Sequence, residues 1–596
     1  MKPTVYVLSF LLLCFVISCK KEAVNQPPTA NAGTDITAQR GQKVSLNGSL
    51  SKDPENANLV YSWSFKSKPA TSQATIQNAN MANAEFTPDQ AGTYVLTLRV
   101  TDDQNQSASA DVTVMVSLPG RAPAAVAPAS ISTTYGNKVV LDGSSSSDPD
   151  GDKLTYKWSF KTRPSGSSTT LPITNDAQAK AEFEPDATGT YVLTLTVSDG
   201  IWPEVTTDVT VIVNESPTVT VCPDNGRLTA STTWKNLVQD PTKPDYIICK
   251  DIVVYDLLTV EPGVVVAFKQ NTGISIGGDG RGAIVAKGTV EKPIVFTGEQ
   301  QVAGSWNGMM IHNSNDARNA LDYVTVSYGG GNVDRFYGEL ANLNVSGRAG
   351  PTSVKLTNCS FTNSKGRGVY VGNSGPGGVL TGFSNNKFSA NTLYPIQLPA
   401  SQVEKLDENS TFASSNGINV VAIYGGLNAT KETTWGPFKD GTRYRFTESF
   451  HTGSGLVIKP GTIFEVASQK AIGIDGDGYL IAKGTADKRI VFTGEVKAPG
   501  SWGGILFDRS VDVRNELSYA EVSYGGGDPA YMYAAKGNVI LWSGFGGRGR
   551  VKITNSIISN SSDVGIGLYA RYGGVLILDN PDSNTYQNNA QGDIAK

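Results

Sequence analysis

A chain of 596 residues is too long for a single core, because cores stop growing near roughly 250–300 residues. Its net charge of −4, with Lys and Arg scattered along the sequence, excludes a nucleic-acid partner held by charge. Charged residues make up 17% and glycines number 64, which with frequent Val, Thr, Ser and Asn indicates all-β domains linked by tight turns.

The N-terminus sets the compartment. Lys2 precedes an apolar run from Val5 to Ile17, short of the roughly 20 residues a membrane span needs. Val16-Ile17-Ser18-Cys19 closes it and resembles a bacterial lipobox, in which cleavage precedes the cysteine and the cysteine is acylated. The resemblance implies a signal peptide over 1–18, lipid on Cys19 and a polar tether over 19–26. The protein is then expected in a bacterial envelope as an outer-membrane lipoprotein, exposed at the surface and joined to the membrane through its anchor.

Residues 27–117 read as short alternating strands, among them Val60–Phe65 and Tyr94–Val100, and residues 123–214 repeat the plan. Leu141-Asp-Gly-Ser-Ser-Ser-Ser-Asp148-Pro-Asp150-Gly-Asp152 answers Leu46-Asn-Gly-Ser-Leu-Ser-Lys-Asp53-Pro-Glu55. Tyr156-Lys-Trp158 answers Tyr61-Ser-Trp63, and Gly189-Thr-Tyr191 through Asp199 answers Gly92-Thr-Tyr94 through Asp102. Both units resemble the PKD (polycystin-type) immunoglobulin-like domain along their full length. The resemblance implies two β-sandwiches serving as spacers or adhesive modules, with Trp63 and Trp158 in their cores. Asp148, Asp150, Asp152 and Asp199 sit on loops expected to meet at one end of the second sandwich. Two readings stand for them, a calcium site, as in some PKD domains of secreted bacterial enzymes, or turn chemistry.

From Thr218 onward strands of four to six residues recur between Gly, Asn and Asp, and a long segment occurs twice. Leu258-Thr-Val-Glu-Pro-Gly, Ala286-Lys-Gly-Thr, Phe296-Thr-Gly-Glu, Gly304-Ser-Trp-Asn-Gly and Tyr328-Gly-Gly-Gly return as Leu456-Val-Ile-Lys-Pro-Gly, Ala482-Lys-Gly-Thr, Phe492-Thr-Gly-Glu, Gly500-Ser-Trp-Gly-Gly and Tyr524-Gly-Gly-Gly. The repeat offset is 198 at Leu258/Leu456 and 196 at Trp306/Trp502. One or two inward aliphatics per strand, each strand closed by a turn, suit stacked coils that bury a face only against their neighbours. The strings resemble right-handed parallel β-helix repeat proteins of bacterial surfaces. The expected architecture is therefore two Ig-like sandwiches followed by a duplicated right-handed parallel β-helix, its halves at 218–415 and 416–596, with a β-propeller or sandwich array as the alternative.

Cys222 and Cys249, close together at the start of the repeats in an exported chain, are expected to pair, and Cys359 to be an inert buried thiol. Asn358, Asn363, Asn555 and Asn560 follow strands, where Asn tolerates left-handed backbone and can stack amides between coils. No polygalacturonase-like or pectate-lyase-like motif is present. The two histidines, His312 and His451, fall at different places in the two copies and read as surface residues. Aromatics on and after the Tyr-Gly-Gly-Gly corners (Tyr328, Phe336, Tyr337, Tyr524, Tyr531, Tyr533, Trp542 and Phe545) could pack on sugar rings or cover the solenoid flank. The expected function is non-enzymatic binding to glycan or another surface component. A β-helix polysaccharide lyase or hydrolase and a structural stalk with a protein partner are the rivals.

Overall fold

The computed structural model describes residues 24–332, 339–347, 349–372, 377–428, 431–527, 536–543, 548–570 and 575–595. The chain divides into two compact units, one holding most of the sandwiches and the other everything from Val213 onward with the short segments Thr134–Asn137 and Pro185–Thr188.

In the first sandwich Ile36–Gln39, Ser107–Ser117, Gly92–Thr101 and Val60–Ser67 form a four-stranded sheet, faced by Val44–Asn47 paired with Asn83–Phe86. The second sandwich repeats this with Ser130–Thr134, Val205–Asn214, Gly189–Ser198 and Thr155–Thr162, faced by Val139–Asp142 and Lys180–Phe183. Burial alternates along the strands, as period-2 patterning requires: Tyr94, Leu96, Leu98 and Val100 point inward, and so do Tyr191, Leu193, Leu195 and Val197. Trp63 and Trp158 are both buried. Each lies beside a glycine whose side chain the packing forbids. A Cβ on Gly48 would come 2.6 Å from Leu98, and one on Gly143 would come 2.6 Å from Leu195. Phe65, Phe86 and Tyr94 form an aromatic knot that Phe160, Phe183 and Tyr191 reproduce, with the first pair of centroids at 5.3 and 5.1 Å.

The second unit is all parallel strands, a β-helix. Its three faces in the first copy are an eight-stranded sheet from Val219–Val221 to Thr411–Ser414, a six-stranded sheet from Thr232–Trp234 to Gly378–Ser384, and the lower part of a fourteen-stranded sheet. One core runs through both copies, from Trp234 to Ile566. Aromatic side chains stack from rung to rung, as in Phe268 on Trp306 at 4.1 Å and Phe464 on Phe492 at 5.2 Å.

The two copies are out of phase by one face. By sequence Val265–Phe268 corresponds to Ile463–Val466, and Gly273–Ile276 to Ile472–Asp475. Yet Ile463–Val466 continues the fourteen-stranded sheet that contains Gly273–Ile276, whereas Ile472–Asp475 lies in a separate six-stranded sheet. The junction explains the shift. The 3-10 helix Ala400–Lys405 follows Ile396–Pro399 in place of a strand, and the fourteen-stranded sheet passes through Val420–Tyr424 directly to Arg443–Phe446.

Asparagines turn the corners. Asn358, Asn363, Asn555 and Asn560 all have φ between 52° and 55°. Asn385 donates its amide to Asn358 at 3.3 Å, and Asn588 to Asn560 at 3.2 Å, so the amides form ladders along the solenoid. Cys222 and Cys249 are disulfide-bonded, with Cα atoms 5.4 Å apart. Burial pushes the Cys359 thiol up to about 12, and its Sγ donates to the Leu321 carbonyl at 3.2 Å. Ser556 fills that place in the second copy and donates to the Leu517 carbonyl.

Candidate functional site

The Asp148-Pro-Asp150-Gly-Asp152 loop follows the strand Val139–Asp142, and Asp199 follows Gly189–Ser198. Asp148 folds its own loop, because its Oδ1 accepts the amides of Asp150 at 2.8 Å and Asp152 at 3.1 Å. Asp199 does the same, its Oδ1 accepting the amides of Ile201 at 2.8 Å and Trp202 at 2.9 Å. In each case Oδ2 is left buried with no hydrogen-bond partner. One oxygen from each of Asp148, Asp152 and Asp199 lies within 4.8 Å of the others. Burial works to raise the Asp199 carboxyl, but the two amides outweigh it and hold it below the usual carboxylate range.

Asp150 is turned elsewhere. It accepts from the Arg121 backbone amide at 2.5 Å and from its guanidinium at 3.2 and 3.3 Å. The geometry thus gathers three of the four sequence-predicted aspartates. Buried, unpartnered carboxylate oxygens are costly unless a donor or cation meets them. Hard oxygens converging from two loops fit a calcium ion, which takes six to eight such ligands.

The first sandwich shows the same frame without the third carboxylate. Asp53 Oδ1 accepts the amides of Glu55 and Ala57, both at 2.9 Å, and Asp53 Oδ2 is buried and unpartnered. Asp102 Oδ2 instead receives the Asn25 side-chain amide at 2.8 Å. Ala57 stands where Asp152 stands in the second sandwich.

On the solenoid, Tyr328 and Tyr524 take left-handed backbone, φ 62° and 65°, and pack against the core. Their glycines serve packing: Gly329 donates its amide to Asn342 at 2.8 Å and Gly525 to Asn538 at 2.7 Å, while a Cβ on Gly331 or Gly527 would strike the carbonyl of Gly304 or Gly500. Trp542 is 7% exposed and belongs to an outward apolar cluster with Leu506, Ile540 and Tyr569. Cys19, Phe336, Tyr337, Tyr531, Tyr533 and Phe545 lie outside the described residues.

The structure also brings together groups that the sequence reading left apart. His451 Nδ1 meets Asp475 Oδ2 at 2.9 Å, and Asp475 and Asp508 are in-register neighbours on the outer face. The hydrogen bond that the imidazole donates to Asp475 raises its pKa against its partial burial. Glu465, 2% exposed, holds Arg443 and Arg445, each at 2.6 Å, and Arg445 also reaches Glu495 at 3.4 Å. These partners lie about one coil apart in the chain, so no local motif announces them. The available signal was a charge at an outward position of an otherwise apolar strand.

Among known proteins, the family of KIAA0319-like PKD domains matches residues 32–116 and 127–213, so the chain contains two PKD-like domains. Human dyslexia-associated protein KIAA0319 is 33% identical over 201 residues, covering 33% of this chain and 18% of that protein. The mouse KIAA0319-like protein is 32% identical over 197 residues, again covering 33% of this chain and 18% of that protein. The chain thus matches less than a fifth of the length of these relatives. A solution structure of the PKD domain from KIAA 1837 protein is 32% identical, covers 16% of this chain and 90% of that domain, and has a TM-score of 0.14.

Proposed function

We propose that this protein is a surface-displayed binding module. Lipid on Cys19 holds it to a bacterial outer membrane, the two PKD-like domains act as spacers, and the β-helix presents side chains to a glycan or another surface component. The observation that carries this reading is the division of labour in the solenoid. Its interior repeats between copies, Trp306 as Trp502 and Phe296 as Phe492, all buried, and so do some exposed groups such as the Asp316–Arg318 and Asp512–Arg514 ion pairs, whereas one outer face does not. Met310, Asn344 and Tyr370 correspond to Leu506, Ile540 and Gly567. A scaffold duplicated inside and diversified on one outer face suits recognition. Calcium bound by Asp148, Asp152 and Asp199 would stiffen the second spacer, and the unpartnered Oδ2 atoms support that assignment.

The test is retention of the whole protein on a glycan array, run with a reducing-sugar assay and a 235-nm assay for unsaturated products. Retention without product supports the binding reading, and product formation overturns it. One observation favours the lyase or hydrolase reading, the His451–Asp475 pair with Asp508 on the adjacent strand. If product forms and Asp475→Asn abolishes it, that reading replaces the first.

A further inference from the structure

We propose that a corner pocket on the first rungs of the β-helix binds a sugar bearing a carboxylate or sulfate group; this deepens the binding reading above and rests on it. Arg227–Leu228 pairs with the end of Ile252–Val254, which pairs with Gly273–Ile276. Just past these strands the three coils turn together, around a cavity of about 350 Å³ lined by Arg227, Thr229, Tyr255, Asp256, Asp279 and Arg281. The Tyr255 ring lies against the backbone at Gly278, where an added Cβ would come 2.9 Å from it. The Arg227 guanidinium sits 5.2 Å from the centre of that ring. Arg281 is held by Asp279, with Nε at 3.0 Å from Oδ2. Arg227 is exposed and has no carboxylate partner among the described residues.

A guanidinium over an aromatic ring and without a carboxylate partner leaves its N–H groups available to a two-pronged anion. Asp256, whose Oδ1 already accepts the Leu257 amide at 2.8 Å, and the Thr229 hydroxyl offer acceptors for hydroxyl donors. Arginine and aspartate lining one small cavity disfavour a polyanion. They suit a ligand with a single anionic group among several hydroxyls, as in a uronic acid or a monosulfated sugar, and the volume fits a ligand of that size.

The second copy supplies an internal control. Leu228 pairs with Val254 as Leu427 bridges Thr452, which aligns Arg227 with Gly426, Tyr255 with Gly453 and Arg281 with Asp477. The same corner is therefore turned there without the aromatic ring or either guanidinium, and a Cβ on Gly453 would meet nothing within 4 Å. The fold does not require Arg227, Tyr255 or Arg281.

Calorimetric titration of the intact protein with galacturonate, galactose 6-sulfate and neutral galactose tests the assignment. Expected is binding of at least one acidic probe, weakened about tenfold or more by Arg227→Ala and by Tyr255→Gly, with melting temperature unchanged. Equal affinity of parent and Arg227→Ala, or equal binding of galactose, would overturn it. So would failure of the parent to bind either acidic probe; the broader binding reading is judged separately, by retention on the array.

Discussion

The two copies of the β-helix agree inside and disagree on one outer face. Ile274, Met309, Leu343 and Val369 fill the first interior column as Ile472, Ile505, Val539 and Ile566 fill the second, all buried. Outside, Gly277, His312 and Ser346 face Asp475, Asp508 and Trp542 at the corresponding places. The interior is constrained because each coil is stable only against its neighbours. That outer face is under no such demand, so it is free to differ between the copies. The sandwiches teach the same lesson: both keep the Trp–Gly contact and the aromatic knot, but Asp152 replaces Ala57 at the acidic loop.

The comparison breaks first at its interior. Trp306→Ala and Trp502→Ala should each cost about 3–5 kcal/mol, by similar amounts, in denaturant unfolding. Both indoles are fully buried, and each donates Nε1–H to the carbonyl at the end of a later strand, Ser327 at 2.7 Å and Ser523 at 2.8 Å. A cost confined to one copy would show that the copies are not equivalent scaffolds.

The next test separates exterior from interior within one sheet. Ala267 occupies the first-copy position of Glu465, and Ile247 that of Arg445. Glu465→Ala alone should cost about 3 kcal/mol, because it removes the close partner of both Arg443 and Arg445 and leaves half-closed Arg445 only the longer contact to Glu495. Adding Arg445→Ile, which restores the first copy's pair, should recover most of that loss. No recovery in the double variant would mean that the ion pair does more than neutralise itself.

Calcium sharpens the comparison of the sandwiches. A hundredfold excess over Kd should raise stability by about 2–3 kcal/mol through preferential binding to the folded state. Asp152→Ala, which copies Ala57, should abolish the rise in melting temperature. A rise of the same size in Asp152→Ala would place any bound calcium elsewhere.

The smallest effect concerns the histidines, which should pull in opposite directions. Asp475 raises the His451 imidazole above its ordinary value, so that contribution is complete below about pH 6.5 and fades as pH rises through the raised value. Burial lowers the His312 imidazole, so its contribution is complete above about pH 6.5 and fades as pH falls through the lowered value. The His451 pair is partly exposed, so its share stays below about 1 kcal/mol. His451→Gln and His312→Gln should therefore shift the pH profile of stability with opposite signs. Shifts of the same sign would contradict the environments described for them.

Much of this was legible in the sequence. Alternating apolar residues gave the sandwiches, and the doubled strings gave the solenoid, because period and repetition are local properties. The corner asparagines were legible too, since left-handed backbone favours that side chain. The phase shift was not, because it depends on how the junction coil around Ala400–Lys405 closes rather than on any residue's preference. Nor were Glu465 with Arg443 and Arg445, His451 with Asp475, or the Arg227–Tyr255 corner, which join residues on successive coils. At the acidic loop, residue types were readable but directions were not: Asp150 looks like its neighbours in sequence and turns to Arg121 in space.

The advance of the second copy by one face is the claim on which the solenoid account rests. Ala422 and Arg445 are partners on adjacent strands of the fourteen-stranded sheet. Adjacent parallel strands lie about 4.8 Å apart, within reach of a disulfide or short thiol cross-link. Oxidation of the Ala422→Cys, Arg445→Cys variant should give an intramolecular cross-link in high yield, and the Ala413→Cys, Arg445→Cys variant should give none. The reverse pattern would mean that the second copy continues the first face for face, and would contradict the account.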